Sequence, residues 1–60
     1  MATFEIYRDG AGWAWRLNDA DGNRIAVSNW PFRYRVRALR AIDEVRVAAP
    51  TAEIVDLTGE

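Results

Sequence analysis

The chain has 60 residues, a formal net charge of -1, and neither Cys nor His. A domain of this size buries only about 60% of the surface that its unfolded chain exposes, so small folds usually depend on disulfides, a metal or a partner subunit. The missing residue types exclude disulfides, zinc sites built on Cys or His, and thiol or imidazole catalysis. We therefore predict one domain, residues 1–60, stabilised by its own core or by oligomerisation.

The composition is typical of a globular protein, because half of the residues are apolar and 28% are charged. The first residues carry Glu5 and Arg8 where a signal peptide needs an apolar run, and no stretch is long and apolar enough for a membrane span. We expect a soluble, cytoplasmic protein that does not associate with a membrane.

The first half of the chain predicts three antiparallel strands. Alternating side chains over residues 3–8 indicate the first strand, and Asp-Gly-Ala-Gly at 9–12 predicts a hairpin loop of three to five residues. A second alternating stretch covers 13–18. Asp-Ala-Asp-Gly-Asn at 19–23 is the strongest turn signal, and it leads into a third strand over 24–28.

An amphipathic helix of about 16 residues is predicted between Arg33 and Ala49, with Pro50 after it. The cap is predicted at Asn29 or Trp30, with Pro31 in the first turn. The predicted buried side consists of Tyr34, Ala38, Leu39, Ala41, Ile42, Val45 and Ala49. The opposite side consists of Arg33, Arg37, Arg40 and Glu44.

A fourth strand is predicted over residues 52–58. Ile54 faces one side of this strand, whereas Val55 and Leu57 face the other. Apolar residues on both sides favour a covered position over an exposed edge. The predicted fold is therefore α+β, with the element order βββαβ.

The sequence resembles the YegP-like family of small domains of unknown function. The residues that carry the resemblance are FEIY at 4–7, WRL at 15–17, DGN at 21–23, AP at 49–50 and IVD at 54–56.

One segment departs from the pattern of that family. WPFRY occupies residues 30–34, where members usually have Gly-Tyr and a small polar pair, and only the aromatic ring of Phe32 stands at the Tyr position.

The resemblance implies βββαβ units that occur as tandem repeats or as a homodimer of single units. In both forms the units build one sheet and exchange their C-terminal strands. This implies a homodimer here, with Ile54, Val55 and Leu57 at the interface. It implies no catalytic residues.

The residues themselves also give no catalytic, cofactor or metal site. Asp19 and Asp21 lie in a turn, and Asp43 and Glu44 are neighbours on a helix, where adjacent side chains do not face each other. The turn lacks the first and twelfth carboxylates of a calcium loop. We interpret these acids as solvated turn and surface residues, and we predict no enzymatic activity.

Three aromatic residues alternate with four Arg in the segment WPFRYRVRALR, residues 30–40. Arg and aromatic side chains bind phosphates and stack on single-stranded bases, which makes Trp30, Arg33, Arg37 and Arg40 candidate polyanion-binding residues. We favour a solvated basic helix face over this alternative. The prediction is a homodimeric interaction or structural module whose protein partner the sequence does not identify. The alternative is a weak binder of nucleic acid or another polyanion.

Overall fold

Three antiparallel strands form the sheet in the computed structural model, which describes residues 1–60. They are β1 (Thr3–Asp9), β2 (Gly12–Asn18) and β3 (Arg24–Val27), in the order β1-β2-β3. All three predicted strands are present. Together with one helix they confirm an α+β domain with a βββα arrangement.

The loop between β1 and β2 is shorter than predicted. Asp9 pairs with Gly12, so only Gly10 and Ala11 lie between the strands. Gly10 has φ 61°, a left-handed conformation that favours glycine and that suits a two-residue hairpin turn.

The β2–β3 turn is organised by one carboxylate. Oδ1 of Asp19 accepts hydrogen bonds from the backbone N–H groups of Asp21 and Asn23, both at 2.9 Å. Gly22 adopts φ 88° in the same turn. The polar turn residues therefore close this hairpin by the local hydrogen bonding that their sequence predicts.

The helix α1 (Arg35–Ala48) begins later than predicted. Tyr34 is the N-cap residue, with extended backbone angles of φ -124° and ψ 139° and no side-chain capping bond. The predicted caps at Asn29 and Trp30 are therefore wrong, and Pro31 lies outside the helix. Tyr34 is 56% exposed and does not belong to the buried side.

The end of α1 lies close to the predicted position. A 3-10 turn, Ala49–Thr51, follows directly and contains Pro50. Ala49 is exposed, so its predicted place on the buried side is also wrong.

The core lies between β2 and α1. Its buried apolar side chains are Ala14 and Trp15 of the sheet and Ala38 and Ile42 of the helix. The rings of Phe4 and Trp15 meet edge to face, with centroids 5.6 Å apart. Only Trp15 and Ile42 among these four are large, so the core is small for a 60-residue chain.

The predicted fourth strand is absent within the single chain. Residues 52–60, which we call the C-terminal segment, form no helix or strand. A strand exists only where a neighbouring strand accepts and donates its backbone hydrogen bonds, and the C-terminal segment has no such neighbour here.

The chain is also more extended than its length requires. Its accessible surface is 5131 Å², whereas a folded protein of 6.8 kDa exposes about 4,000 Å². Its radius of gyration is 13.3 Å, against about 10 Å for a compact chain of this length. A single copy therefore leaves unburied much of the surface that a compact fold would cover.

Candidate functional site

A shallow groove lies along one side of α1. Its volume is about 260 Å³, and it is lined by Phe32, Arg37, Arg40, Ala41 and Glu44. The two Arg side chains project from neighbouring turns of the helix, because residues three apart lie on the same side. The groove thus combines an aromatic wall with two cations and one carboxylate.

Phe32 is held in place by its own backbone. Its N–H donates to the carbonyl of Trp13 at 2.6 Å, and its carbonyl accepts from the N–H of Trp13 at 2.8 Å. A Cβ on Gly12 would lie 2.7 Å from the Phe32 oxygen and 2.9 Å from Cβ of Pro31. Only glycine therefore permits this close approach, which fixes the aromatic wall of the groove against β2.

The candidate arginines have no acidic partner. The ion pairs in the structure are Arg16 with Glu5 and Arg46 with Asp43. Arg33 instead places its guanidinium 5.5 Å from the ring centroid of Tyr34. Arg33, Arg37 and Arg40 therefore form no direct ion pair, and Glu44 is the acid that lines the groove with Arg37 and Arg40.

The four candidate polyanion residues do not form one site. Arg37 and Arg40 meet in the groove, whereas Arg33 precedes α1 and does not line it. Trp30 is 64% exposed and also lies outside the groove.

The C-terminal segment presents its apolar side chains to solvent. Ile54 is 98% exposed, Val55 67% and Leu57 91%. In the same segment Oδ1 of Asp56 accepts hydrogen bonds from the N–H and hydroxyl of Thr58, which lower the pKa of Asp56 below its usual value. Apolar side chains this exposed are costly in water, so they mark a surface that another structure can cover.

One polar cluster joins β1 and β2. Oε1 of Glu5 accepts from Nε of Arg16 at 2.6 Å and from Nδ2 of Asn18 at 2.9 Å. These two hydrogen bonds, with the positive charge of Arg16, lower the pKa of Glu5. The guanidinium of Arg16 also lies 4.8 Å from the ring centroid of Tyr7. Oε1 of Glu5 is thus engaged in cross-strand bonding, which suits a structural role.

Trp15 carries a buried hydrogen-bond donor with no partner. Its indole Nε1 is inaccessible to solvent, and no acceptor lies within bonding distance. Nearly all buried polar groups in folded proteins have a partner. This donor therefore indicates that the single chain lacks an acceptor near its core.

The structure contains no cluster of three or more Asp or Glu residues that could hold a metal ion. It also has no helix with the length and apolar character that crossing a membrane requires.

The family described as a domain of unknown function, DUF1508, matches residues 9–56. The chain belongs to this family. It is the YegP-like family that the sequence resembles, so that prediction is confirmed.

A solved structure supports the same relationship. The chain is similar to the NMR solution structure of a protein from Haloferax volcanii, with 32% sequence identity and a TM-score of 0.82. The similarity covers 92% of this chain and 93% of the other. Comparison with curated proteins gives no match. The chain is thus a small α+β domain of a family of unknown function, and nothing in these comparisons points to catalysis.

The DUF1508 match includes the whole groove and part of the C-terminal segment. Ile54 and Val55 lie within it, and Leu57 follows directly after it.

Sequence reasoning missed Phe32 and Glu44 as groove residues. The contact of Phe32 with β2 could have been inferred from Gly12, since a glycine within a strand often marks the close approach of another backbone.

Proposed function

We propose that this DUF1508 protein is a homodimeric interaction or structural module without catalytic activity. In the dimer, residues 52–58 of each copy form a strand on the sheet of the other copy. The observation that carries the proposal is the exposure of Ile54, Val55 and Leu57 in a single chain. Each of these side chains would contribute about 1.5 to 3 kcal/mol when buried.

The excess surface of the chain supports a second copy as the partner. A single copy exposes about 1,000 Å² more than a compact chain of its mass. Stable interfaces bury about 800 Å² on each partner. The excess surface that dimerisation through the C-terminal segment would bury is therefore comparable in area to a stable interface.

The residue inventory supports a role without catalysis. The chain has no Cys or His for nucleophilic or imidazole chemistry. The carboxylate of Glu5, on β1, accepts hydrogen bonds from Arg16 and Asn18. A cytoplasmic location and a single domain over residues 1–60 remain predictions from the sequence.

A second candidate function is weak polyanion binding, which the lack of acidic partners for Arg37 and Arg40 favours. Changing Arg33, Arg37 and Arg40 to Glu would abolish such binding and leave the fold intact. We expect the wild type to bind single-stranded oligonucleotides no more tightly than about 10⁻⁵ M at physiological salt, which is non-specific association. A nanomolar, salt-sensitive complex would support this second function instead.

Light scattering at micromolar concentration tests the homodimer. The expected mass is twice 6.8 kDa, and the melting temperature should rise with protein concentration because the folded state is a dimer. A monomer of 6.8 kDa with a cooperative melt would contradict the proposal.

A further inference from the structure

The charges of two exposed regions are complementary. The C-terminal segment carries three acidic residues, Glu53, Asp56 and Glu60, and no basic residue. Arg37 and Arg40, which we call the arginine row, have no acid within ion-pair distance. We propose that the arginine row of each copy receives the acidic side chains of the C-terminal segment of the second copy. This inference rests on the proposed homodimer and names the electrostatic part of its interface.

The arginine row is available for this contact. Arg37 and Arg40 are exposed, and both line the groove beside α1. Phe32, anchored to Trp13 by two backbone hydrogen bonds, fixes the opposite wall of the groove. The carboxylates of the incoming C-terminal segment would therefore meet a rigid surface on which Arg37 and Arg40 already supply positive charge.

The C-terminal segment is suited to reach such a surface. In extended backbone, alternate residues share a side, so Asp56 lies on the side of Ile54, opposite Val55 and Leu57. Val55 and Leu57 can therefore be buried while the carboxylate of Asp56 points away from them, and Glu60 follows the turn at Gly59, which has φ 82°.

A second copy fits these charges better than the same chain or a nucleic acid. Within one chain the C-terminal segment makes no ion pair with the arginine row. A nucleic acid fits less well, because the net charge of -1 gives the chain no general attraction for phosphates.

Two charge-reversed variants test the inference. One carries Arg37→Glu with Arg40→Glu, and the other carries Asp56→Arg with Glu60→Arg. Each should weaken its own homodimer by about tenfold, because like charges then face each other across the interface. Arg35→Glu is the matched control. It lies on the far side of α1 from Arg37, and an acid in the first helical turn does not disturb the helix.

Refolding the two variants together distinguishes a second copy from the same chain. In a heterodimer both contacts regain opposite charges, so native mass spectrometry should find it about fivefold enriched over its statistical proportion. Raising the salt concentration should remove the enrichment. If either variant does not fold, weakening of the wild-type dimer by salt is the second measurement.

Four results would overturn the inference. A statistical mixture of dimers, or a wild-type dimer insensitive to salt, would show that the homodimer stands without this contact. Tight oligonucleotide binding that is lost with Arg37→Glu and Arg40→Glu, with dimerisation unchanged, would assign the arginine row to nucleic acid. A monomer at every salt concentration would remove the proposed homodimer as well.

Discussion

Two regions of the molecule carry alternating apolar residues but differ in burial. One consists of β1, β2 and β3 with α1, and the other is the C-terminal segment. Trp15 is 7% exposed in β2, because β1 and β3 flank its strand and α1 packs against it. Ile54 is 98% exposed in the C-terminal segment, which has no neighbour. The same kind of pattern therefore gives a strand in one region and an unpaired segment in the other. What decides between them is whether a partner strand is available.

Deleting residues 52–60 should have the largest effect on this comparison. If the C-terminal segment completes the core of a second copy, the deletion will abolish both the dimer and cooperative folding, because the remaining core is small. Circular dichroism and light scattering measure the two losses. Deleting only 59–60 is the matched control, since it keeps the whole proposed strand 52–58 with Ile54, Val55 and Leu57 and should leave a folded dimer that lacks only the charge of Glu60. A truncated 1–51 chain that melts cooperatively as a monomer would contradict the account.

Ile42→Ala should have the next largest effect. Ile42 is 8% exposed and belongs to the core, so its truncation should lower the free energy of unfolding by about 2 to 5 kcal/mol. Val47→Ala, on the same helix at 79% exposure, should change it by no more than about 0.5 kcal/mol. Urea unfolding at a fixed protein concentration compares the two. Equal losses of unfolding free energy in the two variants would mean that the dimer buries Val47 as well.

Gly12→Ala tests the packing of residues 31 and 32 against β2. The added methyl group would clash with the backbone oxygen of Phe32, and the expected loss is about 1 to 3 kcal/mol. Gly10→Ala is the comparison, because a Cβ there meets nothing within 4 Å and only the φ of 61° is unfavourable. Urea unfolding should show the larger loss for Gly12→Ala, with the amide signal of Phe32 shifted. The reverse order would show that turn strain outweighs the close approach.

The smallest predicted effect concerns Glu5. Its folded pKa is lowered by Arg16 and Asn18, so its ionised form stabilises the fold at pH values above its unfolded pKa. That stabilisation should be lost as the pH falls below the unfolded pKa of about 4.3 and then through the lower folded pKa. The difference in melting temperature between wild type and Glu5→Gln should be constant from about pH 7 to 5 and then shrink. A difference that does not change down to about pH 3 would contradict this role.

The sequence predicted the three strands and the helix because their signals are local. Alternation, turn residues such as Asp19 and Gly22, and the Ala-rich amphipathic run each act within a few residues of the chain. The late start of α1 at Arg35 was not predicted. It follows from the backbone pairing of Phe32 with Trp13, a contact between distant residues that keeps the segment before Tyr34 extended.

The candidate site was predicted only in part for the same reason. Helical spacing correctly placed Arg37 and Arg40 on one side of α1. It could not show that Phe32 forms the opposite wall, since that depends on tertiary pairing. The strand predicted over 52–58 shows most clearly what the sequence cannot predict. A local pattern does not indicate which molecule supplies the neighbouring strand.

An isotope-filtered nuclear Overhauser experiment on a mixture of labelled and unlabelled chains tests the central claim most directly. We expect contacts from the methyl groups of Val55 and Leu57 to strand residues of the other chain. Contacts from Val55 and Leu57 that arise only within one chain would show that the C-terminal segment is not exchanged, and the account would then be wrong even for a dimeric protein.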